Sequence, residues 1–192
     1  MDKKDILIDQ VNAGARILTV RGQLYSVWPP ETMFGYVYHG NMIPPFRPEH
    51  TLILGYGEGT IAGLMRKIWG TNLKITGVDN TQHETHWNEY EIIYADAFEY
   101  VKSCTDSMFK KKFDYIVIDL HNENGCPEFV YDVEFVVRIK EMTKGIVCIN
   151  FPLSEISHAE VWRYYGGYIQ DRIIPCDDRA IVFLGTNHDD AK

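Results

Sequence analysis

Residues able to do chemistry gather at the ends of four short apolar runs in this sequence. The first run stops at Leu54-Gly55-Tyr56-Gly57-Glu58-Gly59-Thr60. Glycines at alternate positions let a backbone turn sharply and let a ligand approach it closely. A helix starting near Thr60 would aim its free N–H groups and positive dipole end at that ligand. The dinucleotide fingerprint G-x-G-x-x-G needs glycine where Thr60 stands. Glu58 adds a carboxylate that repels a pyrophosphate and suits a cation such as a sulfonium or an amine. Both features disfavour a nicotinamide oxidoreductase.

The next three runs each end in an acid. Asp79, followed by Asn80, lies about 20 residues beyond the loop, where a carboxylate can accept both hydroxyls of a ribose. Asp96, followed by Ala97 and Phe98, can accept the exocyclic amine of an adenine while small and aromatic neighbours flank the ring. Either acid also suits a helix N-cap. Asp119-Leu120-His121-Asn122 stands where a transferred group would emerge. His121 is the candidate base there, imidazole being the side chain that exchanges protons near neutrality. His83 and His86 lie three apart, but no third ligand is evident, so no metal is expected.

These groups need elements that bring them to one place. Strand-like runs cover Thr51 to Leu54, Lys74 to Asp79, Glu91 to Asp96, Phe113 to Asp119 and Gly145 to Phe151. Helical patterns cover Ile61 to Trp69, Ala97 to Lys112, Pro127 to Lys144 and Ser154 to Tyr165, with a short polar helix over Thr81 to Tyr90. Strands alternating with helices predict a doubly wound, mostly parallel α/β sheet. In such a sheet the carboxyl ends of the strands form the binding crevice. The last two runs, Tyr168 to Ile174 and Ala180 to Leu184, are joined by five residues. That is too short for a crossover and predicts a hairpin, hence one antiparallel strand near the C-terminus.

Residues 1–50 read as a β-rich appendage to a domain spanning 51–192. Runs Ile6 to Ile8, Arg16 to Val20 and Gln23 to Val27, with a turn at Gly22, suit short strands. Five of the eight prolines then fall between Pro29 and Pro48, which predicts turns and extended connections. Exposed strand edges in the appendage make a homodimer a possibility. The 192 residues are 45% hydrophobic and 24% charged, an ordinary globular composition. No signal peptide and no apolar run of membrane-spanning length is evident. Four cysteines form no CxxC pair, which fits a reducing cytoplasm. A net charge of −8 disfavours nucleic-acid binding. The one basic cluster, Lys110-Lys111-Lys112, suits a helix C-terminus.

In these motifs the sequence resembles the class I S-adenosylmethionine-dependent methyltransferases, and within them the spermidine synthase-like branch. Gly55-Tyr56-Gly57-Glu58-Gly59 matches the branch's G-G-G-[DE]-G loop, and Asp79 its acid after the second strand. Ala95-Asp96-Ala97-Phe98-Glu99-Tyr100-Val101 matches its G-D-[AG]-x-x-[FY]-[LV] segment except at the first glycine. Phe113-Asp114-Tyr115-Ile116-Val117-Ile118-Asp119 matches [FY]-D-x-I-x-x-D. Gly22-Gln23-Leu24 and Tyr38-His39-Gly40-Asn41-Met42 are looser versions of the branch's G-x-x-Q-x and Y-H-E-M segments.

The resemblance implies a Rossmann-like domain and S-adenosylmethionine, or its decarboxylated form, as cofactor. The donor would be held by Gly55, Tyr56, Gly57, Glu58, Gly59, Asp79, Asn80, Asp96, Ala97 and Asp119. It implies Gln23, Tyr38 and His39 on the side of a small-molecule acceptor, and Asp119, His121 and Asn122 at the reacting centre. The branch's polyamine synthases carry their catalytic base where Asn122 stands, and an amide cannot take that proton. Methyl transfer is therefore the leading expectation, with Glu123 as a substitute base if the group moved is aminopropyl. A non-catalytic nucleoside-binding domain is the third reading.

Overall fold

The computed structural model describes residues 6–11, 15–20, 23–28, 38–81, 91–106, 112–122 and 125–186. Strands β1 (Ile6–Val11), β2 (Ala15–Val20) and β3 (Gln23–Trp28) form an antiparallel sheet in that order. A short helix α1 (Tyr38–Asn41) precedes the second sheet, which has seven strands. Its strands are β4 (His50–Leu54), β5 (Lys74–Asp79), β6 (Glu91–Tyr94), β7 (Phe113–Ile118), β8 (Thr143–Pro152), β9 (Tyr168–Cys176) and β10 (Arg179–Thr186). The spatial order is β6-β5-β4-β7-β8-β10-β9. Ladders among β4 to β8 are parallel, while β10 runs antiparallel to both β8 and β9. The expected mostly parallel sheet with one reversed strand is the observed one.

Alternation along each strand divides the core in two. On β7, Phe113, Ile116 and Ile118 face one cluster, and Tyr115 and Val117 the other. On β8, Val147, Ile149 and Phe151 oppose Cys148, and on β10, Val182 and Leu184 oppose Ile181 and Phe183. Strands buried on both faces need helices on both faces. Helices α3 (Ala97–Asp106), α4 (Val133–Met142) and α5 (Ala159–Gly166) cover the first face. α1 and α2 (Thr60–Trp69) cover the second. Trp162 of α5 is fully buried, and its indole N–H donates to the Val130 carbonyl at 3.1 Å.

Three expectations are revised. The helix expected from Pro127 to Lys144 is broken into a 3-10 turn, Glu128–Tyr131, and α4, and its last residues belong to β8. Asp132 is extended (φ −74°, ψ 136°) and separates the two helical pieces. Thr143 is also extended, and its hydroxyl donates to the Ile139 carbonyl, closing the last turn. The helix expected over Ser154 to Tyr165 likewise starts as a 3-10 turn, Leu153–His158, before α5. Finally, Lys112 does cap a helix C-terminus, but that of α4: its ammonium donates to the Glu141 carbonyl. Gly22, Lys110, Lys111 and nearly all of the helix expected at Thr81 to Tyr90 lie outside the described residues.

Candidate functional site

The glycine loop is shaped by its neighbours. Gly55 (φ +84°), Gly57 (φ +54°) and Gly59 (φ +85°) all adopt left-handed backbone, where only glycine is at ease. At Gly55 there is a second reason. A Cβ built there would lie 2.2 Å from the Asp119 carbonyl oxygen, inside any permitted contact. The loop leaves β4 through hydrogen bonds from the Gly55 and Tyr56 N–H groups to the Val78 carbonyl, at 2.9 and 3.1 Å. Gly59 occupies the N-cap position of α2, and the helical bonding starts with Gly63 N–H to its carbonyl.

Asp79 ties this loop to the end of β5. Its Oδ2 accepts the Gly57 N–H at 2.7 Å and its Oδ1 the Thr81 N–H at 2.8 Å. Asp96 is the N-cap of α3, with Oδ1 accepting from Phe98 and Glu99 at 2.9 and 3.1 Å. Its side chain is exposed and borders the crevice described next.

A crevice of about 770 Å³ opens where β4, β5, β6 and β7 end. Gly55, Asp79, Asn80, Asp96, Ala97, Asp119, His121 and Asn122 all line it. A small chamber of about 20 Å³, the room of a single water, continues past Gly55, Asp119 and His121. It is bordered by Tyr38, His39, Tyr56 and Gly57. α1 is held for this purpose by the buried Tyr115 hydroxyl, which donates to the Met42 carbonyl. Burial keeps that phenol protonated by raising its pKa well above the usual value. Tyr38 and His39 stack with ring centroids 3.8 Å apart.

Not every expected residue borders these spaces. Glu58 is buried (6% exposed) between two left-handed glycines, and neither it nor Gly59 lines the crevice or the chamber. Phe98 stands behind the wall, and Phe129, stacked on it at 5.6 Å, supplies the aromatic surface instead. Asn122 sits exposed in the crevice lining, its backbone bridged to that of Gly125. The Gln23 side chain, Glu123, His83 and His86 lie outside the described residues. Among the described residues no three His, Cys, Asp or Glu side chains gather as metal ligands.

Two residues that the sequence did not single out join the Asp119–His121 cluster. Asn150 of β8 donates from Nδ2 to Asp119 Oδ1 at 2.8 Å and lies 3.1 Å from His121 Nε2. Arg179, the first residue of β10, directs its guanidinium at the same His121 nitrogen and lies 5.0 Å over the Tyr38 ring. His121 Nε2 is also 3.6 Å from Asp119. Burial alone would raise the Asp119 carboxyl. The facing imidazoles of His121 and His39 and the Asn150 amide outweigh it and hold the group below its ordinary value. The opposite wall is Tyr131 and Glu155, joined hydroxyl to carboxylate, with Tyr131 stacked 4.2 Å from His158. Burial pushes the Cys126 thiol in that wall up to about 12.

An adenosyl sulfonium fits what these residues offer. The crevice carries Asp79, Asp96, Asp119, Glu128 and Glu155, and no lysine or arginine lines it among the described residues. That lining attracts a cation and repels a pyrophosphate.

Comparison with solved structures agrees with this geometry. A spermidine synthase in complex with the transition-state analogue AdoDATO superposes with a TM-score of 0.68, over 96% of this chain and 71% of that one, at 16% identity. A probable spermidine synthase from Corynebacterium glutamicum gives 0.68, over 94% and 75%, at 15% identity. Aeropyrum pernix fibrillarin with natively bound S-adenosyl-L-methionine gives 0.58, over 94% of each chain, at 13% identity. The fold is that of the class I S-adenosylmethionine-dependent methyltransferases and spermidine synthases. No family model and no curated relative matches the sequence. Within the methyltransferase fold, the crevice at the ends of β4 to β7 follows from the switch in strand order at β4, between β5 and β7.

Proposed function

We propose that this chain binds S-adenosylmethionine in the crevice and is a methyltransferase acting on a small-molecule acceptor. The observation that carries the reading is the acid-lined crevice at the ends of four strands, with Gly55 of the left-handed glycine loop in its lining. In it Asp79 and Asn80 hold the ribose, Asp96 reads the adenine amine and Phe129 covers the ring. Gly55, Tyr56, Gly57 and Asp119 border the donor's reactive end, and Tyr38 and His39 the acceptor. The donor supplies an electrophilic methyl on a sulfonium. The chain's part is to hold donor and nucleophile in line and exclude water.

A second reading, aminopropyl transfer from decarboxylated S-adenosylmethionine, is favoured by the likeness to spermidine synthases and by Glu128 and Glu155 in the crevice. It lacks a carboxylate at position 122. The chamber of about 20 Å³ also leaves little room for an aminopropyl chain. Calorimetry with S-adenosylmethionine, S-adenosylhomocysteine, decarboxylated S-adenosylmethionine and methylthioadenosine decides among the readings. Methyl transfer expects tight binding of the first two. Strong preference for the decarboxylated donor overturns it, and silence with all four leaves a non-catalytic domain. Four free cysteines, three of them buried, support a reducing compartment such as the cytoplasm for the working enzyme.

A further inference from the structure

We infer that Arg179 is a specificity-determining residue: its guanidinium supplies the positive charge that lets the site accept the α-carboxylate of S-adenosylmethionine and prefer this donor to its decarboxylated form. This rests on the adenosyl-binding reading proposed above. It adds a choice between the two donors that the crevice lining does not make.

Besides its adenosyl group, the donor's sulfur carries an amino-acid tail with an ammonium and a carboxylate. The decarboxylated form keeps only the ammonium. The ammonium suits the Asp79, Asp96, Asp119, Glu128 and Glu155 side chains of the crevice. A carboxylate is repelled by them. No lysine or arginine lines the crevice or the chamber among the described residues. The charge of the lining by itself therefore favours the decarboxylated donor.

Arg179 reverses that preference from just behind the wall. His121 lines both spaces and Tyr38 the chamber. The guanidinium is hydrogen-bonded to that imidazole and lies 5.0 Å over that phenol ring. Strand pairing fixes its backbone on both sides, to Pro152 of β8 and to Cys176 of β9. Its side chain is only 13% exposed, yet the one carboxylate within 4.0 Å among the described residues is that of Asp178. The Asp178 side chain is 78% exposed, where water screens its charge. A guanidinium is a fork of N–H donors with no acceptor, and here its hydrogen bond to His121 is the only one it makes among the described residues. Arginine seldom withdraws this far from water without an anion to pair with. The carboxylate of the bound donor is such an anion, on a tail that starts at the sulfur beside Gly55, Tyr56, Gly57 and Asp119.

Calorimetry of the full chain with two probes tests the inference: S-adenosylhomocysteine and decarboxylated S-adenosylhomocysteine, which differ only in the carboxylate. The parent should bind the first more tightly, by about tenfold or more. Arg179→Gln keeps a hydrogen-bond donor for His121 and drops the charge. It should lose roughly tenfold in affinity for S-adenosylhomocysteine and nothing for the decarboxylated probe. Arg179→Lys, which keeps the charge, should retain most of the preference. Arg179→Met replaces the glutamine variant if that one does not fold. A parent that binds the two probes equally, or prefers the decarboxylated one, overturns the inference whether or not any variant folds. An equal loss for both probes in a folded charge-less variant means a structural role only and also overturns it. So does an unchanged preference, which assigns the carboxylate to the N–H groups of the glycine loop. In all these cases adenosyl binding stands. Silence of the parent with both probes overturns the adenosyl reading itself, and the role of Arg179 with it.

Discussion

Asp119 is where burial and chemistry meet most directly. Its folded pKa lies below the unfolded carboxylate value, roughly 3.9. The unfolded state therefore binds more protons in that range, and stability rises with pH. The contribution is complete above the unfolded value and is lost as pH falls through the folded one. Asp119→Asn should accordingly be less stable than the parent at neutral pH. Its urea midpoint should also vary less between about pH 5 and pH 2; parallel curves for the two proteins would contradict this. Asp96 makes a different prediction. Asp96→Ala loses the α3 cap and, on the proposed reading, the adenine contact. The cap should cost about 1 kcal/mol in unfolding, and the contact about tenfold in donor affinity by calorimetry. The cysteines give a third. Burial raises the Cys126 thiol to about 12 and Cys148 further, whereas Cys176 is only half-buried. Alkylation of the native protein at neutral pH, read by mass spectrometry, should label Cys176 first.

At the scale of elements, the β4-loop-α2 unit depends on the backbone of another strand. Gly55→Ala would set a methyl group against the Asp119 carbonyl and strain a left-handed residue. A loss of about 1–3 kcal/mol is expected, with a lower melting temperature and, on the proposed reading, weaker donor binding. An unchanged melting curve would mean that the two chain segments can part freely. The acids at the ends of β5, β6 and β7 were legible in the sequence because parallel strands deliver their ends to one edge. Asn150 follows the same rule and was passed over because an amide inside an apolar strand carries no charge to mark it. Arg179 was hidden by direction: on a reversed strand the crevice edge receives the first residue, not the last. The expected hairpin already implied this, since Arg179 pairs with Pro152 at the end of β8. The 3-10 turns that carry Phe129, Tyr131 and Glu155 had no comparable signal. Helical periodicity runs through them, and only tertiary contacts such as the Trp162 bond to Val130 fix where they break.

In the whole molecule, two sheets of different character share one chain. The seven-stranded sheet is covered on both faces, while β1 and β3 are outer strands of a separate three-stranded sheet. If a homodimer forms through those edges, sedimentation should give a dimer for the full chain and a monomer once residues 1–28 are removed. A monomeric full chain would end that idea. The reversal of β10 has one further effect, on what can be attached to this protein. The strand starts at the crevice with Arg179 and finishes beside Ile146, toward the opposite edge of the sheet. A fluorescent or affinity partner grafted after β10 would therefore depart from the far side, leaving the mouth open to ligand. The same partner inserted into the Asp177-Asp178 turn would hang over the entrance, tethered there by the Leu153 N–H to the Asp178 carbonyl.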